Sequence, residues 1–127
     1  MTELAPVNVV RNLMDAINKG DLDRALSYYE PDAVIVAQPG QLAQGTDAVR
    51  KALEGFISLK PSLQGQAHNV IEAKDIALFC SKWNLVGTSP EGNRVEMSGI
   101  SSDVLRCQAD GRWLIAVDNP WGTSIVG

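Results

Sequence analysis

Val10, Leu13, Met14 and Ile17 recur every three or four residues, the spacing that aligns apolar side chains along one stripe of a helix. Lys19 and Gly20 follow, a basic last turn and a residue suited to a left-handed stop, so a first helix is predicted over 4–19. Asp21 is placed to cap a second, shorter helix over 21–29 with Leu22, Ala25 and Leu26 inward, and Pro31 prevents it from continuing. Residues 33–37 form a short apolar run, read as a buried strand, and Gln38-Pro39-Gly40-Gln41 reads as a turn returning the chain through Leu42. Thr46 is predicted to cap a third helix whose apolar face is Ala48, Val49, Ala52, Leu53, Phe56 and Ile57.

After Pro61 the period changes from 3.6 to 2, giving strands near 63–73, 76–87, 94–107 and 112–118. The separators are turn sequences: Ala73-Lys74-Asp75, Ser89-Pro90-Glu91-Gly92-Asn93, and Asp110-Gly111, which signals a two-residue hairpin. Helices followed by a run of strands predict an α+β layer fold, three N-terminal helices on one face of a mostly antiparallel sheet. The 127 residues suffice for one domain, 1–127, with its own core.

Composition narrows the function classes. Hydrophobic residues at 45% and charged residues at 20% describe an ordinary globular chain rather than a disordered one. The 11 basic residues are outnumbered by 15 acidic ones and form no cluster able to neutralise a run of phosphates, so nucleic acid is not an expected partner. The longest apolar runs, five residues each and including 33–37 and 113–117, fall far below the roughly 18 residues of a membrane span. The first basic residue is Arg11, so the start lacks the charged and apolar regions of a secretion signal, and a cytoplasmic location is expected. Cys80 and Cys107 show no metal spacing and His68 is the only histidine, so neither a disulfide framework nor a zinc site is expected, and no cofactor is implied.

Lys19-Gly20-Asp21-Leu22, Tyr28-Tyr29-Glu30-Pro31-Asp32-Ala33, Gly45-Thr46-Asp47-Ala48-Val49 and Asp110-Gly111-Arg112-Trp113, taken in this order, resemble the nuclear transport factor 2-like superfamily over nearly the whole chain. The ending Asp118-Asn119-Pro120-Trp121-Gly122 is similar to small bacterial domains of that superfamily described as SnoaL-like or ketosteroid-isomerase-like. The resemblance implies a cone-shaped, curved sheet of cystatin-like form, a ligand pocket between helices and concave face, and a homodimer. It also spans isomerases, dehydratases, cyclases, hydrolases and pure association domains, so fold alone assigns no reaction. Asp103 falls where the ketosteroid isomerases carry a protonated oxyanion-hole aspartate. Gln38 stands where their general base would be, and Leu13 where their oxyanion-hole tyrosine would be. An amide cannot abstract a proton, so that enzyme's mechanism does not carry over, and negligible ketosteroid isomerase activity is expected.

Strand phase gives a second route to the site. With Asp110-Gly111 as the central turn residues, Leu105 lies opposite Ala116 and Asp103 opposite Asp118, which makes the two carboxyls candidate catalytic acid and base. Directly opposed like charges are destabilising, so one is expected to keep a proton. If Asp103 faces the pocket, Met97 and Ser101 share its face, and Phe79, Ser81 and Trp83 join from the preceding strand. Gln38 is expected to orient a substrate. Tyr28 and Tyr29 end the second helix, where either hydroxyl could reach the cavity, and Tyr29 is carried as a binding residue. His68 shares its phase with Gln64 and Gln66 and is expected to face solvent. The opposite phase, Ile100, Val104, Trp113, Ile115 and Val117, is an apolar strip expected to be covered in a homodimer. Two functions follow as expectations: an acid-base enzyme on a small apolar molecule, or a non-catalytic ligand-binding or association module.

Overall fold

A computed structural model describes residues 5–127, so the predicted start of the first helix, at Leu4, lies outside the described residues. Helix α1 spans Pro6–Lys19, with proline at its first turn, where the absent N–H costs nothing. It ends in a Schellman motif: Gly20 has φ 72°, its N–H reaches the Ile17 carbonyl at 3.1 Å, and the Asp21 N–H reaches Ala16 at 2.9 Å. Asp21 caps α2, Leu22–Leu26, by accepting the Arg24 N–H at 3.1 Å. This helix stops three residues earlier than its sequence suggests, because Tyr29 already begins strand β1, Tyr29–Gln38, and pairs with the last strand.

Strand β2, Gln41–Gln44, returns along β1 after the proline-glycine turn. Helix α3 is Thr46–Ile57, but Thr46 is its first residue rather than its cap. Gly45 holds the cap position at φ 86°, and the Thr46 hydroxyl is donated to the Pro31 carbonyl at 3.3 Å. Strands β3 (Ser62–Ala73), β4 (Ile76–Thr88), β5 (Arg94–Cys107) and β6 (Trp113–Asp118) complete a six-stranded sheet ordered β2-β1-β6-β5-β4-β3. Only the β1/β6 pair is parallel. The α+β expectation holds: the helices lie on the concave face, and the core forms where Val9, Leu13, Ala16 and Ile17 of α1 and Leu53 of α3 meet Ile35, Phe79, Leu105 and Ile115 of the sheet.

The β5/β6 hairpin departs from the expected register in an informative way. Asp110-Gly111 is not a two-residue loop. Cys107 pairs with Trp113, and the chain between them folds through Gln108 N–H to the Arg112 carbonyl at 2.7 Å and Gly111 N–H to Gln108 at 2.9 Å. Leu105 therefore faces Ile115, not Ala116. The next pair is Val104 with Val117, so β6 carries an extra residue at Ala116, a bulge that restores the expected phase before Asp118. Its consequence is that Ile115 and Asp118 both point to the concave side. Ile115, expected on the convex strip, is a core residue, and Trp113 also packs against the core. Ile100 remains on the convex face and exposed at 61%, opposite Lys82, and Leu78, Ile76 and Ile71 are exposed further along the same face. Cys80 lies opposite Ser102, one residue from the expected partner, and no disulfide joins it to Cys107.

Candidate functional site

Four strands bring one polar cluster to the floor of the cavity. Strand β5 contributes Ser101 and Asp103 from alternate, inward positions. Strand β4 contributes Ser81 and Trp83, in register with Ser101 and Gly99. Strand β6, re-aimed by its bulge, contributes Asp118, and the start of β1 contributes Tyr29. The Tyr29 hydroxyl is donated to Asp118 Oδ2 at 2.5 Å. Asp103 Oδ1 accepts the Asn119 backbone N–H at 2.8 Å, and Asp118 and Ser101 lie near enough to act on its protonation. The Ser81 and Ser101 hydroxyls are 2.7 Å apart. The result is one polar cluster of Tyr29, Asp118, Asp103, Ser101 and Ser81.

Above this floor the walls are apolar. Val10, Leu13, Met14 and Ile17 come from α1, and Leu53 and Phe56 from α3, while Leu63, Trp83, Leu85 and Pro120 close the sides of a cavity of about 90 Å³. Low polarity decides the protonation of the floor. Asp103 is only 7% exposed, and burial raises its pKa well above the usual carboxylate range; the neighbouring Asp118 charge pushes it further, against the opposing Asn119 N–H. Burial also raises Asp118, but the donations from Tyr29 and Asp103 both favour its ionised form. The two environments therefore separate the pair. Asp103 is the proton holder and Asp118 the carboxylate that ionises first, as coupled acids sharing one site must divide. Tyr29 is held well above its ordinary value by burial and then by the Asp118 charge, so it stays a neutral donor.

Asp103, Asp118, Tyr29, Ser81, Trp83 and Ser101 thus line one cavity. Three further residues expected there do not. Phe79, although paired with Asp103, is buried in the core and stacks on His68 with centroids 5.6 Å apart. Gln38 is exposed, and with Met97 lines a separate cleft near the β1/β2 turn, since the sheet rim carries both beyond the inner cavity. His68 is exposed as expected, but not through a phase shared with Gln64: the register shift between Gly65 and Ala67 puts it opposite Ser81, on the face of Phe79. Tyr28 turns away and accepts Arg24 Nε at 3.0 Å.

The C-terminal segment is the part that strand patterning does not reveal. Trp83 Nε1 is donated to the Pro120 carbonyl at 2.7 Å, Asn119 Nδ2 to Gly122 at 3.1 Å, and the Ser102 N–H to the Asn119 carbonyl at 2.8 Å. Gly122, at φ 54°, passes so close to β5 that a Cβ would lie 2.3 Å from the Ile100 carbonyl oxygen. These contacts fold the chain after Asp118 back over the sheet and place the Asn119 N–H against Asp103. In the sequence the Asn119-Pro120 pair signals a stop, not this second role. Among the described residues, no group of three or more His, Cys, Asp or Glu side chains is arranged to hold a metal ion.

The described helices contain none long and apolar enough to cross a membrane. Known proteins provide an independent comparison with this geometry. No curated protein matches the sequence. Among solved structures, a nuclear transport factor 2-like superfamily protein from Salmonella enterica superposes with a TM-score of 0.81 at 15% identity, over 91% of this chain and 86% of its own. A candidate ketosteroid isomerase from Shewanella frigidimarina gives 0.75 at 21% identity, over 87% and 90%. A Catenulispora acidiphila protein in complex with S-DNPA gives 0.73 at 22% identity, over 88% and 86%. These likenesses establish the fold. The fold is that of the nuclear transport factor 2-like structure, and because the sequence model of the SnoaL-like domain matches residues 10–115, most of the chain, the chain belongs to the SnoaL-like domain family.

Proposed function

We propose that this protein binds a small, largely apolar carbonyl compound and moves a proton on it, with Asp118 as general base and Asp103 as general acid. One observation carries the reading: two buried carboxyls lie side by side at the polar end of an otherwise apolar cavity, where burial raises both and the Tyr29 donation favours the ionised form of Asp118. In the resting site Asp103 donates its proton to Asp118. A bound carbonyl oxygen takes over that hydrogen bond, while ionised Asp118 removes a proton from the adjacent carbon. The C–H bond breaks, an O–H bond forms on Asp118, and the enol oxygen is stabilised by Asp103. Return of the proton at another carbon completes an isomerisation. Positioned acid-base groups of this kind contribute roughly 10²- to 10⁴-fold in rate. Solved structures of the same fold include candidate isomerases and dehydratases, which agrees with proton chemistry without assigning it.

The test needs no knowledge of the natural substrate. Exchange of the α-hydrogens of cyclopentanone in D₂O, followed by proton NMR, is expected to exceed the protein-free rate, and the excess is expected to vanish in Asp118→Asn. No acceleration by the native protein overturns the catalytic reading. A second reading, a binding module without turnover, is favoured by the mutual pairing of the polar groups, since no buried side-chain nitrogen or oxygen among the described residues lacks a partner. A ligand retained on purification and released chemically unchanged, found by native mass spectrometry, supports that alternative.

The proposed assembly is a homodimer through the convex face, where Ile71, Ile76 and Leu78 are exposed together on adjacent strands and Ile100 is exposed further along β5. Sedimentation at micromolar concentration is expected to give twice the chain mass, and a monomer contradicts it.

A further inference from the structure

The cavity holding Asp103 and Asp118 has a larger neighbour. On the other side of Phe56, which lines both spaces, lies an open cleft of about 510 Å³ bounded by Gln38, Lys51, Gly55, Met97 and Trp121 among others. The indoles at this partition are fixed. Trp83 on the inner side and Trp121 on the outer side meet edge to face with centroids 5.7 Å apart. Trp83 donates to the Pro120 carbonyl at 2.7 Å, and Trp121 to the Val36 and Ala37 carbonyls at 3.1 and 3.2 Å. Phe56 has no such tether and is half-buried, so it is the part of the wall that can turn. The inner space of about 90 Å³ is smaller than the ~150 Å³ apolar cavity that accepts a benzene ring, so even a five-membered ring enters only as Phe56 turns toward the cleft, and nothing bulkier fits.

Charge fixes the orientation of anything that occupies both spaces. An anionic group placed inside would meet Asp118 in low dielectric. In the outer cleft Lys51 is the only charged lining residue, and no ion pair among the described residues engages it, although Asp47 sits one turn earlier on α3. Gln38 adds an amide donor on the facing rim. We propose that the natural ligand is an amphipathic carboxylate: a compact apolar or carbonyl-bearing head enters the inner cavity past Phe56, and the anionic tail remains in the cleft against Lys51 and Gln38. This rests on the inner cavity being the ligand site, and it gives Gln38 a place at the tail of the ligand instead of at the reacting carbon.

The experiment is a ¹⁵N NMR titration with cyclopentyl-substituted alkanoic acids of increasing chain length, each paired with its primary amide, and with cyclopentanone as a probe of the inner cavity alone. The native chain is expected to bind the best acid about two- to fivefold more tightly than its amide, the range of an exposed ion pair, and Lys51→Gln is expected to erase that preference. Gly55 lies on the cleft, and a Cβ added there would meet nothing within 4 Å, so Gly55→Leu fills the cleft without disturbing α3. It is expected to weaken every acid more than fivefold and leave cyclopentanone binding unchanged. Equal binding of acid and amide, or a preference that survives Lys51→Gln, overturns the proposal while cyclopentanone binding keeps the inner site. If neither the acids nor cyclopentanone bind at millimolar concentration, both readings fall. If the acids bind as expected without any α-hydrogen exchange, the ligand class stands and catalysis does not.

Discussion

Replacing Asp103 by asparagine isolates the energetic cost of the buried acid pair. The amide has nearly the same shape, its Oδ1 can still accept the Asn119 N–H now held at 2.8 Å, and its Nδ2 can donate to Asp118 as the carboxylic O–H does. At acid pH both side chains are neutral, and the two proteins are expected to match within about 1 kcal/mol. The difference develops as pH rises. An unfolded chain releases the Asp103 proton near the ordinary value of 3.8, whereas the folded chain retains it because burial and the Asp118 charge raise its pKa. A proton bound only by the folded state means that stability is fully present below the unfolded value and is lost as pH climbs toward the folded one. The loss is about 1.4 kcal/mol per pH unit for each such proton. Asp103→Asn has one fewer, so its stability is expected to gain on the native protein by that slope and to level off where folded Asp103 ionises. The gap widens at that slope until folded Asp103 ionises, against a typical domain stability of only about 5–15 kcal/mol. Urea unfolding of both proteins from about pH 4 to about pH 8 reads it directly. Parallel curves across that range would refute the reasoning, since they require Asp103 to titrate as an ordinary surface carboxyl.

Further outcomes follow from single contacts. Tyr29→Phe removes the 2.5 Å donation to Asp118 and is expected to cost about 1.5–3 kcal/mol at neutral pH, with the cost shrinking in acid as Asp118 becomes neutral; urea unfolding at two pH values checks this. Gly122→Ala forces a Cβ against the Ile100 carbonyl oxygen at a left-handed φ and is expected to cost about 2–4 kcal/mol, together with a change in Trp121 fluorescence as the C-terminal segment lifts. Gly55→Ala, at an open helical position, is expected to stabilise by about 0.5–1 kcal/mol in thermal unfolding.

Much of this architecture is legible in the sequence because periodicity and turn chemistry act locally. The α1 stripe, its glycine stop and the alternation in β4 and β5 each specify an element without help from the rest of the chain. The inward run of Ser101, Asp103 and Leu105 follows from one phase assignment. What fails is long-range: the β5/β6 loop is wider than its Asp-Gly signal, and the bulge at Ala116 is visible only when β6 must satisfy both β5 and the parallel β1. The two departures offset each other at Asp118, which is why a simple hairpin register brings the correct carboxyls together while misplacing Ile115. Tyr29 cannot be separated from Tyr28 by pattern, because the choice depends on where α2 gives way to β1. Gln38 and Met97 have suitable chemistry and phase, but strand twist and length carry them into the neighbouring cleft.

The central claim is that Asp103 keeps a proton beside an ionised Asp118 within the cavity. Carboxyl ¹³C shifts of selectively labelled aspartates, followed through a pH titration, test it most directly. The account predicts two linked steps shared by this pair, the later one well above the ordinary 3.8 and absent in Asp103→Asn. Two independent transitions near 3.8 would contradict it, and with it the proposal that this cavity moves protons.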